Sequence, residues 1–223
     1  MKKLIFLMMI TILILGACKK EKSKDVDPDH IQQDIYAWYD ADNNDSYFGI
    51  RLYDLQWYNR VLLTPPAYLT VNDKTPILNE VNSFYESHFV NEMVPEGTVV
   101  YSDIWKRVYT NVAAIPKSIS LPSIDTLYTT KDNVITWQGE PCAGGNETIT
   151  VRYSLFLAKS VSTNQAGATS ITIKAASNSG LTSGTYTWIR IERHVTGPLQ
   201  HGTSAGGSIY STYYSQIKMV KVY

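Results

Sequence analysis

The sequence predicts an all-β protein made of two small antiparallel β-sandwiches that follow a signal peptide and a tether. Apolar and polar residues alternate over several segments, most clearly from Thr148 to Leu157, and a period of two is typical of strands with one buried face. Turn-forming residues recur between these segments at the short spacing typical of sandwiches. Pro116 and Pro122 divide the segments into halves of about 85 and 105 residues, each the size of one small sandwich.

Composition and charge limit the classes of function that this chain can have. The chain has 223 residues, 44% of them apolar and 18% charged, which is typical of a globular protein. Two cysteines are too few for a disulfide scaffold. Residues 25–223 hold 14 basic and 19 acidic side chains, a net charge of −5. An acidic body repels phosphate backbones, so we expect no nucleic-acid partner.

Residues 1–17 are typical of a signal peptide. Lys2 and Lys3 precede the apolar run Leu4–Leu15, which is too short to span a bilayer comfortably. The tetrapeptide LGAC that follows ends at Cys18 and resembles the lipobox of bacterial lipoproteins. That resemblance implies that Cys18 is lipidated and anchors the chain to a membrane. The alternative is an ordinary secretory signal that happens to contain a cysteine.

The residues after Cys18 indicate in which membrane the protein is anchored and how its body is connected to the anchor. Lys19 follows the cysteine, where an Asp retains some lipoproteins at the inner membrane, so we expect a protein of the outer membrane in the cell envelope. Whether the body faces the periplasm or the outside stays open. Residues 18–34 are charged, contain Pro28 and lack apolar periodicity before Ile35, so they are predicted to form a lipidated tether.

The first predicted sandwich covers residues 35–118. Two aromatic runs flank the turn-rich residues 40–45 and predict a hairpin. One stretch, residues 76–90, has apolar residues at helical spacing, but its β-rich surroundings favour a strand. The other predicted strands of this half are Tyr68–Val71, Val99–Trp105 and Arg107–Ala114.

The second predicted sandwich covers residues 119–223. In the strand predicted between Gly184 and Arg193, Ile189 and Ile191 point to one face. Arg190 and Glu192 then point to the other face. The remaining predicted strands are Asn133–Trp137, Thr148–Leu157, Ile171–Ile173 and Val220–Val222.

Four short motifs carry a resemblance that spans most of the mature chain. They are VND at 71–73, YTN at 109–111, IP at 115–116 and VITWQG at 134–139. Together they resemble two-domain envelope lipoproteins of the Bacteroidota, in which Ig-like β-sandwiches follow a lipobox and many members have no assigned activity. The resemblance implies two Ig-like domains and transfers no catalytic residue.

The sequence offers few candidates for catalysis. Residues 202–206 read GTSAG and match the GxSxG pattern of hydrolases, but no Asp, Glu or His follows Ser204 to complete a triad. A connecting loop is therefore expected there. Glu192 and His194 share a strand face and His201 lies in the next loop, where a polar surface explains them as well as a metal site. Cys142 has no partner thiol and no neighbouring base, so we expect a structural thiol.

An acidic turn is the candidate for a metal. Asp40, Asp42, Asn44 and Asp45 place oxygen ligands close together. An EF-hand needs Gly and Glu at positions that are here Asp45 and Arg51, so the turn is not an EF-hand. We predict no metal site, with a looser calcium site as the alternative.

Tyrosines near the C-terminus are the candidates for ligand binding. Tyr210, Tyr213 and Tyr214 cluster among serines and threonines, and tyrosine suits contacts with sugars or proteins. Half-buried strands favour tyrosine as well. On one strand Tyr210 and Tyr214 share a face and Tyr213 points to the other.

These observations predict a lipid-anchored envelope protein that binds or scaffolds a glycan or protein partner, without enzymatic activity and without a cofactor. The first alternative is a glycan-binding accessory lipoprotein of a polysaccharide uptake system. Exposed coplanar Trp or Tyr rings favour that alternative. The second alternative is a hydrolase, which needs one pocket that gathers Glu192, His194 and His201.

Overall fold

The computed structural model describes residues 20–81, 83–154, 159–178 and 181–223, and it confirms the all-β prediction. Strands make up 55% of the described residues, and the helices among them are three short 3₁₀ turns, Ser23–Asp25, Pro28–His30 and Ala175–Asn178. The predicted signal peptide and the lipidation site Cys18 lie outside the described residues.

The described residues of the first half form nine strands, and the ambiguous stretch 76–90 contains the strands Ile77–Asn79 and Phe84–Phe89, as predicted, and no helix among its described residues. The strands are β1 (Lys20–Lys22), β2 (Ile31–Asp40), β3 (Asp45–Asp54), β4 (Asn59–Leu62), β5 (Tyr68–Val71), β6 (Ile77–Asn79), β7 (Phe84–Phe89), β8 (Glu96–Ser102) and β9 (Val108–Ala114).

The second half forms ten strands within its described residues, and each predicted alternating segment overlaps a strand there, although residues 155–157 of the segment predicted from Thr148 lie outside the described residues. They are β10 (Ile119–Ser120), β11 (Thr126–Leu127), β12 (Asn133–Thr136), β13 (Gln138–Gly139), β14 (Glu147–Ser154), β15 (Lys159–Thr163), β16 (Ser170–Ile173), β17 (Tyr186–Pro198), β18 (Gly207–Tyr214) and β19 (Lys218–Val222).

A twelve-stranded sheet, the large sheet, runs through both halves in the order β1-β4-β3-β2-β18-β17-β14-β15. Strand β7 pairs with β3 and carries β6, while β19 pairs with β17 and carries β11. The halves meet where β18 pairs with β2, with Tyr210 opposite Tyr36. This pairing is parallel, as are β1 with β4 and β11 with β19, so the expectation of purely antiparallel sheets is wrong for three strand pairs.

Two hydrophobic clusters lie on one face of the large sheet. The first takes its buried residues from Val26 to Ile115, with Ile209 from the far end of the chain. Its second layer is the three-stranded sheet β5-β8-β9. The second cluster runs from Ile119 to Val220 and packs under the small sheets β12-β16 and β10-β13.

The segment predicted as a tether is folded from Lys20 onward, which corrects that expectation. Strand β1 pairs in parallel with β4, and the hydroxyl of Ser23 bonds that of Thr64 at 3.0 Å. Val26 and Ile31 are buried in the first cluster. Single apolar residues at irregular spacing hold this segment, so a search for periodicity does not detect it.

Candidate functional site

Both hydrophobic clusters leave the opposite face of the large sheet, here the outer face, to side chains that pack mainly on one another. Alternation sends Ile35 and Ala37 of β2 into the first cluster, and it sends Tyr36 and Trp38 to the outer face. The register places Tyr47 of β3 beside Trp38.

Six rings on four neighbouring strands form an aromatic row on this face, namely Tyr36, Trp38, Tyr47, Phe84, His88 and Tyr210. Trp38 and Tyr47 stack with centroids 4.9 Å apart and planes 11° apart. Tyr47 stacks in turn on His88 at 4.1 Å, and Tyr36 stacks on Tyr210 at 5.1 Å.

The rings of each stacked pair are parallel, and each ring turns its flat face toward its neighbour. Strands lie about 4.8 Å apart, which matches the centroid distance of 4.9 Å between Trp38 and Tyr47. Rings this close and this parallel stand upright on the sheet and turn their edges outward. The row therefore offers polar ring edges to solvent rather than the flat platform of coplanar rings that the sequence left open.

Phe84 fills the space between the two stacks because its neighbour on β3 is Gly49. A Cβ on Gly49 would lie 2.9 Å from Cε1 of Phe84. Phe84 meets Tyr36 edge to face at 5.6 Å and Trp38 at 5.9 Å, and the Arg51 guanidinium lies 5.5 Å from its centroid. Phe84 is buried and the aromatic row is a packed layer.

Charged side chains lie beside the aromatic row, Asp34 near Tyr36 and Asp45 near His88. Burial, with a contribution from Asp34, raises the pKa of Tyr36 to about 12, so its hydroxyl stays a donor at neutral pH. Asp45 lies under the other end, 2.8 Å from Nε2 of His88. The backbone N–H of Asn91, followed by the His88 ring, lowers the pKa of Asp45, which keeps its carboxylate charged.

The three tyrosines predicted as ligand-binding residues divide between the two faces as their spacing requires. Tyr210 and Tyr214 lie on the outer face, and Tyr210 is 37% exposed. Tyr213 lies on the inner face and packs against both hydrophobic clusters. Tyr213 therefore joins the two halves of the protein, and it also lines a cavity of about 370 Å³ on this side of the sheet.

The outer face also carries an arginine cluster on β14 and β17, made of Arg152, Arg190, Glu192 and His194. Glu192 is fully buried, and its Oε2 accepts hydrogen bonds from Nε of Arg152 at 2.8 Å and Nε2 of His194 at 3.1 Å. Its Oε1 accepts from Nη2 of Arg190 at 3.1 Å. Burial raises the pKa of Glu192, but the bonds from His194 and Arg152 outweigh it and lower the pKa overall, so Glu192 is charged.

Tyr214 connects this cluster to β18. The Arg190 guanidinium lies 4.5 Å from the centroid of the Tyr214 ring, and His194 meets that ring edge-on at 6.4 Å. His194 also bonds Thr212 through Nδ1 at 3.0 Å. Thr212 stands between His194 and Trp38 in the sheet register, so the cluster and the aromatic row are neighbours.

The side-chain oxygens of the acidic turn bond separate partners and do not converge on one point. Asp40 accepts from the backbone N–H of Asp42, Asp42 from the backbone N–H of Ile217, and Asn44 from the Tyr39 hydroxyl. Asp45 serves His88 and Asn91, as described above. Among the described residues, no group of three or more His, Cys, Asp or Glu side chains is placed to hold a metal ion.

The residues considered for catalysis lie apart. Ser204 is exposed, and its hydroxyl bonds Asp29 at 3.4 Å. The backbone of His201 bonds Asn111 of β9, far from the arginine cluster in the fold. Cys142 is buried in the second cluster. The three cavities of about 270 to 370 Å³ found among the described residues are not lined by Glu192, His194 or His201.

Sequence reasoning found Tyr210 and Tyr214 but missed the aromatic row. The pattern that could have revealed the row is present in the sequence, since Tyr36, Trp38 and Tyr47 occupy alternating positions along the two arms of the predicted hairpin. Which face they take follows from the apolar residues between them.

In the part of the chain that the structure describes, no helix is long and apolar enough to cross a membrane. A comparison of the chain with models of known protein families found no match, and a search of curated proteins found none.

Proposed function

We propose that the protein is a non-enzymatic lipoprotein of the cell envelope, anchored through Cys18, which binds its partner on the outer face of the large sheet. The aromatic row is the observation that carries this proposal. Six rings gathered on the face opposite both hydrophobic clusters are not needed to form either cluster. Aromatic side chains supply much of the contact energy at binding surfaces.

We further propose that the two halves are Ig-like β-sandwiches over residues 35–118 and 119–223. Two separate clusters that divide between Ile115 and Ile119 support this organisation. The large sheet supplies one layer to both sandwiches, and the small sheets supply the second layers.

The stacked rings form no coplanar platform, so the case for a glycan partner rests on one ring, Tyr210. Tyr210 stacks on Tyr36 with one ring face, and its other face lies on the side of Thr196, a short side chain on β17. A free tyrosine face beside small polar side chains suits the apolar face of a sugar ring. The protein would then serve a polysaccharide uptake system as an accessory binding protein.

Replacing Tyr210 with alanine is expected to weaken glycan binding by about tenfold or more, because it removes the free ring face. Folding should change by about 1 kcal/mol or less, since one stacking contact is lost at a partly exposed site. A panel of immobilised polysaccharides identifies the ligand, and calorimetry with that ligand measures the effect. Tyr210→Phe keeps the ring, and Tyr68→Ala removes an exposed ring from β5 as a matched control. A panel without any bound polysaccharide would contradict the glycan proposal.

Replacing Cys18 with alanine is expected to release the protein from membranes or to leave it unprocessed. The acyl chains attached at the lipobox cysteine hold a lipoprotein at the bilayer, because each buried methylene contributes about 0.8 kcal/mol. Labelling cells with a fatty-acid analogue measures the modification. Label that persists in the Cys18→Ala protein would show that the anchor lies elsewhere.

A further inference from the structure

We propose that the arginine cluster is a subsite for the carboxylate of an acidic oligosaccharide, so that the preferred ligand carries uronic acid residues. The inference rests on the proposed glycan-binding function and specifies its substrate class. It begins from the charge of the cluster. Arg152 and Arg190 carry two positive charges, and Glu192 balances only one of them.

The guanidinium groups keep donors that Glu192 does not use. Among the described residues Arg152 forms a side-chain hydrogen bond only with Glu192, through Nε, and its side chain is 42% exposed, which leaves its two Nη groups to a ligand. Arg190 uses one Nη and its Nε is buried, so the donors that a ligand can reach belong mainly to Arg152. A guanidinium edge matches the two oxygens of a carboxylate and forms charge-assisted hydrogen bonds with it.

The cluster is fixed before a ligand arrives. The buried Glu192 orients both arginines, and the Tyr214 ring supports Arg190 from one side. Long side chains that are already ordered lose less entropy on binding than free surface arginines do. This order distinguishes the cluster from a solvated basic patch.

The surroundings favour an anion at this place. Residues 119–223 carry a net charge of +3 in a protein whose body is acidic overall. Thr150 and Ser162 flank the cluster on β14 and β15 and bond each other, so they add hydroxyls without charge. The carboxylate nearest in register, Asp40 of β2, bonds the turn at residues 42–43.

The distance to the aromatic row sets the ligand size. Arg190 and Trp38 are two strands and four residues apart in the register. With about 4.8 Å between strands and about 3.4 Å per residue, that separation is roughly 17 Å. One sugar ring does not bridge it, so the ligand that uses both parts of the surface is an oligomer.

The test compares oligogalacturonate and oligomannuronate with the same oligomers after reduction of their carboxyl groups, by calorimetry on the full chain in detergent. We expect the protein to bind at least one acidic oligomer about tenfold more tightly than its reduced form. Added salt should diminish that preference. Arg152→Gln should remove it, while Arg152→Lys should keep only part because it retains the charge but not the planar fork.

Lys174→Gln is the matched control, because Lys174 also forms an exposed ion pair, with Asp132 at 2.8 Å. Lys174→Gln should leave unchanged the ratio of the affinity for an acidic oligomer to the affinity for its reduced form. The ratio is taken within each variant, so partial loss of folded protein does not alter it. Equal binding of acidic and reduced oligomers overturns this inference and leaves the proposed glycan function standing. A variant that weakens both forms equally also overturns it, and the absence of any binding overturns both.

Discussion

Replacing Gly207 with alanine is expected to destabilise the protein by about 3 kcal/mol or more. Gly207 is the first residue of β18 and has a φ of 145°, a conformation that residues with a side chain rarely adopt. A Cβ there would overlap the backbone of Gln33, 2.6 Å from its carbonyl carbon. Either β2 or β18 would have to move, and their pairing joins the two halves of the large sheet.

Two nearby glycines distinguish the effect of the positive φ from the effect of the overlap with Gln33. Gly206 has a φ of 70° and open space around its Cβ position, so Gly206→Ala should show only the strain of a left-handed residue, about 1–2 kcal/mol. Gly197 of β17 has neither feature, and Gly197→Ala should change stability by about 0.5 kcal/mol or less. Urea unfolding of the three variants measures the order. Equal effects at Gly206 and Gly207 would mean that the close approach to Gln33 carries no energy.

Replacing Phe48 with alanine is expected to cost about 3–5 kcal/mol. Phe48 is fully buried on the inner face of β3, and a Cβ on Gly97 of β8 would lie 2.6 Å from its Cγ. The ring therefore holds the three-stranded sheet against the large sheet. The exposed Tyr68 of β5 provides the control, since Tyr68→Ala should change stability far less.

The contact between Phe48 and Gly97 allows a stricter test. Gly97→Ala alone should destabilise the protein by about 1–3 kcal/mol, because the added methyl group overlaps the ring. In the Phe48→Ala background the same methyl group enters the space that the ring has left. The double variant should therefore be more stable than the sum of the single effects predicts, by about 1–3 kcal/mol. Additive free energies of unfolding would show that the two sheets do not meet at this contact.

Local pattern was enough to predict the strands but not their neighbours. The alternation of β17 placed Arg190 and Glu192 on the polar face correctly, and they meet Arg152 of β14 there. That these residues meet depends on the antiparallel pairing of β14 with β17, which joins residues about 40 positions apart. Periodicity carries no information about such pairing, because every strand with one buried face has the same period.

The same limit explains the two errors about the fold. A parallel partner for β2 is not visible in residues 31–40, which read as one arm of a simple hairpin. The segment around Val26 is too short and too polar to show a pattern, yet one buried apolar side chain and one paired strand are enough to order it. Both features depend on the rest of the fold, so the local sequence does not contain them.

The pairing of β2 with β18 also constrains how the protein is made. β2 leaves the ribosome about 170 residues before its partner does, a delay of roughly 10–30 s at ordinary rates of synthesis. Throughout that interval the free edge of β2 exposes unpaired backbone groups, which can template association with other chains. The first half therefore cannot complete its sheet until β18 has been made.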